Sequence, residues 1–138
     1  MKKIILVPVI VMLFLSCTNK KKEANDVKDN KISLRSDTLN VVKLSDTLII
    51  YESTCRGCAY EQSTHFDISD SLGIIKLSAI KTTDNNSPDM NGGNISKDLI
   101  LVPLKTGTTT IRLYKFWKEE ETARDSANAT AYTIEVRN

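Results

Sequence analysis

From Thr38 onward, hydrophobic and polar residues alternate with a period of two, and no stretch sustains a 3.6-residue period long enough for a helix. Leu39, Val41 and Lys43 alternate with Asn40, Val42 and Leu44, and Leu48-Ile49-Ile50-Tyr51 is a compact run of β-favouring residues. Ile75, Leu77 and Ala79 alternate with Lys76, Ser78 and Lys81, with Ile74 and Ile80 interrupting the polar side. Leu99-Ile100-Leu101-Val102 is apolar throughout and predicts a buried strand. Ile111, Leu113 and Lys115 alternate with Arg112, Tyr114 and Phe116, and Tyr132, Ile134 and Val136 alternate with Thr133, Glu135 and Arg137. Turn-forming clusters at 44–46, 70–73, 83–94 and 105–107 separate these runs. About seven short strands, polar turns and no internal repeat predict an all-β sandwich or small barrel. Three connections, 53–63, 82–97 and 117–128, are long for hairpins, and function in small β domains usually sits on such loops.

The N-terminus follows a different pattern. Met1-Lys2-Lys3 is cationic, and Ile4 to Leu15 is an apolar run broken only by Pro8. About 20 residues are needed to span a bilayer, so the run fits the core of a signal peptide instead. It ends in Phe14-Leu15-Ser16-Cys17, which resembles a bacterial lipoprotein box. That resemblance implies cleavage before Cys17, acylation of Cys17 and anchoring to the bacterial envelope. Thr18 at the next position points to the outer membrane. A plain secretory signal with an incidental cysteine is the alternative. Residues 18–37 are polar, include Lys20-Lys21-Lys22 and hold few apolar side chains, so they are expected to form a flexible tether reaching roughly 25 Å. The folded domain is then expected over 38–138.

Charge narrows the partners. The chain carries 19 Lys+Arg, 17 Asp+Glu and one His, a formal net charge of +2. Lys2 and Lys3 account for that excess, so 17 basic and 17 acidic residues remain once the signal is set aside. A neutral body argues against nucleic-acid binding through a broad basic face. A single His and no dense acidic cluster argue against a hydrolase with ordinary acid–base machinery. No cofactor or metal is expected.

With Cys17 assigned to lipid, Cys55-Arg56-Gly57-Cys58 holds the remaining pair. An oxidising compartment and an even count suit a disulfide that stiffens a loop tip. A redox catalyst would need a strand before the motif and a helix N-terminus after it. Zinc bound by Cys55, Cys58 and His65 would lack the fourth ligand of a structural site. Two inert free thiols complete the alternatives. His65 on its own reads as a packing or surface histidine.

The order of the loops resembles the chagasin-type peptidase inhibitors, and more distantly the potempin-like inhibitors of bacterial surfaces. The first family has an inhibitory loop of the form Asn-Pro-Thr-Thr-Gly-Phe-Ala-Trp after an apolar strand. Here Ser53-Thr54-Cys55-Arg56-Gly57-Cys58-Ala59-Tyr60 follows Leu48 to Tyr51, with Gly57, Ala59 and the aromatic Tyr60 in register. The family's Gly-x-Gly-Gly loop is met by Met90-Asn91-Gly92-Gly93, which keeps the last two glycines. Its Arg-Pro-Trp is met by Lys115-Phe116-Trp117. The resemblance covers about Leu39 to Arg137. It implies an immunoglobulin-like β-sandwich and a non-enzymatic inhibitor of papain-like cysteine peptidases, with target-binding residues among Thr54 to Cys58, Asn91 to Gly93 and Lys115 to Trp117. The Cys-bracketed tip also leaves metallo- and serine endopeptidases open as targets. Bland readings stand beside these: Trp117 as a core residue, Gly92-Gly93 as a turn, and Lys118 to Glu121 as a solvated loop. The competing functions are a non-inhibitory adhesion or assembly lipoprotein and a Cys-x-x-Cys redox or metal-handling lipoprotein.

Overall fold

The computed structural model describes residues 30–124 and 129–138. The expected signal and lipidation site at Cys17, the lysine triplet and residues 125–128 of the third long loop lie outside the described residues. All regular structure among the described residues is β. The strands are β1 (Lys31–Ser33), β2 (Leu39–Lys43), β3 (Thr47–Cys55), β4 (His65–Ser69), β5 (Ile75–Thr83), β6 (Asn94–Pro103), β7 (Gly107–Phe116) and β8 (Thr130–Arg137). They form two four-stranded sheets, ordered β1-β3-β6-β5 and β2-β8-β7-β4. The edge pairs β1–β3 and β2–β8 are parallel, and the other pairs are antiparallel. The result is an immunoglobulin-like β-sandwich, as expected.

Alternation builds the core. Leu48 and Ile50 of β3, Leu99 and Leu101 of β6, Ile111 and Leu113 of β7, and Ile134 and Val136 of β8 meet between the sheets. β6 reads as a continuous apolar run because it is a central strand: Leu99 and Leu101 are fully buried, and Ile100 and Val102 are half-buried on the outer face. The interruption of alternation in β5 has a local cause, a β-bulge between Leu77 and Ala79 that shifts the register by one and sets Ile80, like Leu77, on the side of the buried β6 leucines, opposite Leu99.

Two expectations are corrected. Among the described residues there are eight strands, because β1 is too short to show a period and β4 offers only Phe66 and Ile68 as apolar positions. The tether does not run to Asp37. Lys31–Ser33 pairs with Thr47–Ile49, and Leu34 is buried in the core. Ile32 and Leu34 are too sparse to signal a strand alone, and they find apolar partners only once the edge of β3 is in place.

Direction matters most for function. β3, β5 and β7 run toward one pole and β4, β6 and β8 leave it, so the loops 56–64 and 84–93 and the described part of the third, 117–124, gather there. The turns 44–46, 70–74 and 104–106 gather at the opposite pole. One of these turns is built on Asp70. Its carboxylate accepts the backbone N–H groups of Leu72, Ile74 and Ile75 at 3.0, 2.6 and 2.7 Å and the Thr109 hydroxyl at 2.7 Å. Burial pushes this carboxyl up, but the four hydrogen bonds outweigh it and hold the group below the usual carboxylate range. A carboxyl lowered by folding contributes stability above its unfolded pKa and loses it as pH falls through the folded value. Stability is therefore expected to decline below about pH 4. In Asp70→Asn that part of the acid limb should flatten, as read from denaturation midpoints across pH. An unchanged pH profile would disprove the assignment.

Candidate functional site

The first loop leaves β3 at Cys55 and is closed at once by a disulfide to Cys58, with Cα atoms 5.9 Å apart. Gly57, between the cysteines, has φ 71°, a conformation that side chains with a Cβ rarely adopt. Its N–H donates to the Glu61 carboxylate, which pins the tip from the far side of the turn. Thr64 closes the loop with bonds from its N–H (3.0 Å) and hydroxyl (2.6 Å) to the Tyr60 carbonyl. His65 lies beyond, stacked on Phe116 at 4.9 Å. Among the described residues no three His, Cys, Asp or Glu side chains come together as a metal site.

Arg56 joins the first loop to the second. Its N–H bonds the Gly93 carbonyl at 2.9 Å. Its guanidinium pairs with Asp84 at 2.9 Å and donates to the carbonyls of Ser87 (3.3 Å) and Met90 (2.5 Å). The second loop has its own frame. The Asn86 amide donates to Asp84 at 2.7 Å and to the Asn94 carbonyl at 2.8 Å. The hydrogen bonds from Asn86, and then the Arg56 charge, hold the Asp84 carboxyl below the usual carboxylate range. Gly93 at φ 106° faces that frame so closely that a Cβ there would lie 2.6 Å from Asn86 Oδ1.

The third loop joins through Trp117. The Ser63 hydroxyl donates to its carbonyl at 2.6 Å, and its N–H donates to Glu121 at 3.1 Å. The indole meets Tyr60 edge-on at 6.2 Å, and the Lys115 ammonium lies 4.8 Å from the indole centroid. Tyr60, Met90 and Trp117, one from each loop, are 44%, 52% and 45% exposed, so the pole presents three large apolar side chains on a hydrogen-bonded frame.

Several residues expected to touch a target are placed otherwise. Thr54 is 2% exposed and faces the core, with its hydroxyl unpartnered. Phe116 is buried between His65 and Tyr114. Lys115 points between the sheets, where its ammonium bonds the Ser53 carbonyl at 2.5 Å and pairs with Glu52 at 3.6 Å. Arg56 spends its charge on the second loop. The physical reason is the same for all four. They stand on or beside strand ends, where packing of the neighbouring elements covers the side chain (Thr54, Phe116) or supplies it with a polar partner (Lys115, Arg56). Gly57, Asn91, Gly93 and Trp117 remain on the surface, and Cys58 and Gly92 are partly covered. Sequence reasoning missed Met90 and Asp84 and left Tyr60 out of the contact set. Tyr60 had a signal in its aromatic match to the family loop, whereas nothing local marked Met90 or Asp84.

No known family model matches the chain, and no curated protein matches it in sequence. Its fold matches solved structures. The cysteine protease inhibitor EhICP2 from Entamoeba histolytica is 21% identical, over 78% of this chain and 95% of that one, with a TM-score of 0.56. Amebosin is 16% identical, over 79% of this chain and 96% of that one, with a TM-score of 0.50. At these identities the likeness is one of fold: the chain has the chagasin-type sandwich that its loop order suggested.

Proposed function

We propose that the protein is a reversible inhibitor of an endopeptidase, a cysteine peptidase by analogy with EhICP2, and that it blocks the active-site cleft with the pole bearing Tyr60, Met90 and Trp117. The observation that carries this reading is the pre-ordering of three loops into one projecting surface. Rigid loops lose little entropy on binding, so more of the contact energy appears as affinity. Blocking by occupancy needs no reacting group, which suits a pole whose projecting side chains include Tyr60, Met90 and Trp117 on a frame fixed by glycines and a disulfide. The disulfide-closed tip keeps metallo- and serine endopeptidases as further targets. The address belongs to the same proposal: cleavage before Cys17, lipid on Cys17, and attachment to the outer membrane. Mass spectrometry of the chain extracted from membranes should find acyl mass on Cys17, and an unmodified cysteine would refute the anchor.

Titration of the chain from Thr18 against cysteine, metallo- and serine endopeptidases tests the inhibition. Stoichiometric loss of activity in one class is expected, and no inhibition in all three would end the proposal. Arg56→Ala should weaken inhibition about tenfold, because the second loop then has to be ordered on binding. Asp84→Asn should weaken it less, since the carbonyl contacts of Arg56 survive. Equal, unperturbed inhibition by both variants would show that the loop clamp is irrelevant.

A further inference from the structure

We propose that the pole opposite the three loops is a docking face for an anionic lipid bilayer. Each of the three turns at that pole exposes a leucine: Leu44 is 41% exposed, Leu72 54% and Leu104 54%. Backbone hydrogen bonds join the turns into one surface. Leu44 N–H bonds the Arg137 carbonyl at 3.0 Å, Leu104 N–H bonds the Ile74 carbonyl at 2.8 Å, and Gly107 pairs with Val136 between them. Three leucine tips gathered on one face beside lysines suit the headgroup–acyl boundary of a bilayer.

Charge selects the same occupant. Lys31, Lys43 and Lys105 are exposed at this pole, and none of the ion pairs among the described residues uses them. The acids there are already engaged: Glu135 is paired with Arg137 at 2.9 Å, and the other two are turned inward. Asp46 is 5% exposed and accepts the Lys43 N–H at 2.6 Å and the Asn30 amide at 3.4 Å. Asp70 is spent on its own turn and on Thr109. The loop pole has the opposite character, with Glu61, Asp84, Asp89 and Glu119 to Glu121. An anionic surface therefore attracts one end of the sandwich and repels the other.

The chain path agrees. Asn30 lies at the leucine pole, where its carbonyl accepts the Thr47 N–H at 3.1 Å. Only residues 18–29 separate it from Cys17. A tether of that length has a root-mean-square reach of about 20 Å, so a lipid on Cys17 would hold this pole nearest the membrane. Strands of nine and ten residues then carry the loop pole roughly 30 Å above the lipid surface. The tether argument rests on the proposed anchor, but the face itself can be tested without lipid or peptidase.

The test uses the mature chain with Cys17→Ser, and with Lys20, Lys21 and Lys22 each changed to Ser so that the tether cannot bind. It is sedimented with vesicles of phosphatidylglycerol and phosphatidylethanolamine in equal parts. Partitioning that falls with added salt is expected. It should drop about tenfold or more in the Leu44→Ser, Leu72→Ser, Leu104→Ser variant. A fluorophore on Leu72→Cys should shift to the blue on vesicle addition while one on Met90→Cys does not, which reads the orientation even if the triple variant folds poorly. No partitioning, an equal shift at both labels, or leucine-dependent dimers that ignore vesicles would overturn the proposal. Because no peptidase is present, such a failure leaves the inhibition standing, and a failed inhibition titration leaves the membrane face standing.

Discussion

Replacing Asn40 with alanine is expected to lower the unfolding free energy by about 3 kcal/mol, well above the usual effect of changing a polar residue on an edge strand. Asn40 lies on the inner side of β2 and is 8% exposed. Its Oδ1 accepts the Arg35 N–H at 2.9 Å, and its Nδ2 donates to the carbonyls of Arg35, Thr38 and Thr133 at 2.8, 3.2 and 3.0 Å. One side chain thus holds the crossover from β1 to β2 and fastens it to β8 of the second sheet. Alanine leaves a donor and up to three carbonyls unpaired in a site nearly closed to water. Each orphaned group costs on the order of 1–3 kcal/mol, and partial hydration reduces the sum. The loss should appear as a lower urea midpoint at unchanged m. Leu39→Ser, next door but 48% exposed, should change stability by about 0.5 kcal/mol or less. Similar losses for the two variants would show that the Asn40 network contributes nothing.

Trp117→Ala is expected to weaken inhibition of the target endopeptidase by about 2 kcal/mol or more, some thirtyfold, while the fold is retained. Trp117 combines a large exposed face with a fixed position. Ser63 and Glu121 hold its backbone, Tyr60 meets one edge, and the Lys115 ammonium sits over its ring. A large aromatic ordered before binding gives contact area at little entropic cost. Phenylalanine at this position should recover part of the affinity, because it keeps the ring and loses the larger indole face. The measurement is the inhibition constant of each variant beside its thermal midpoint. An unchanged constant for Trp117→Ala would remove the indole from the contact surface and move the binding energy to the first two loops.

Six strands were legible from alternation or an unbroken apolar run. β1 was not, because three residues are too few to establish a period, and β4 was not, because its only apolar positions, Phe66 and Ile68, follow directly on a long polar loop. Alternation also left the sidedness of β2 undecided. There the more apolar pair, Leu39 and Val41, faces out, and Asn40 and Val42 face in. An edge strand can turn a polar residue inward when the chain beside it supplies carbonyls to bond. The long loops were legible as interruptions, and Gly57, Gly92 and Gly93 as points needing unusual backbone. All three do have positive φ. The contact residues at strand ends were harder to read. Lys115 and Phe116 differ by one position in β7, and their opposite fates depend on what lies beneath each face.

The residues by themselves determined the β class, the positions of the loops, the presence of a close cysteine pair in one of them and an equal count of 17 basic and 17 acidic residues beyond Lys3. These rest on short-range rules: alternation, turn chemistry, spacing and composition. Only the tertiary structure decided that three loops share one pole and three leucine-bearing turns share the other. It likewise decided that Arg56 clamps a loop and that Lys115 staples the sheets. The contacts that do this join residues 31, 54 and 62 positions apart: Arg56 with Ser87, Ser63 with Trp117, and Lys115 with Ser53. No local pattern encodes such partners, because a charged or polar side chain bonds whichever group the packed sheets bring within reach.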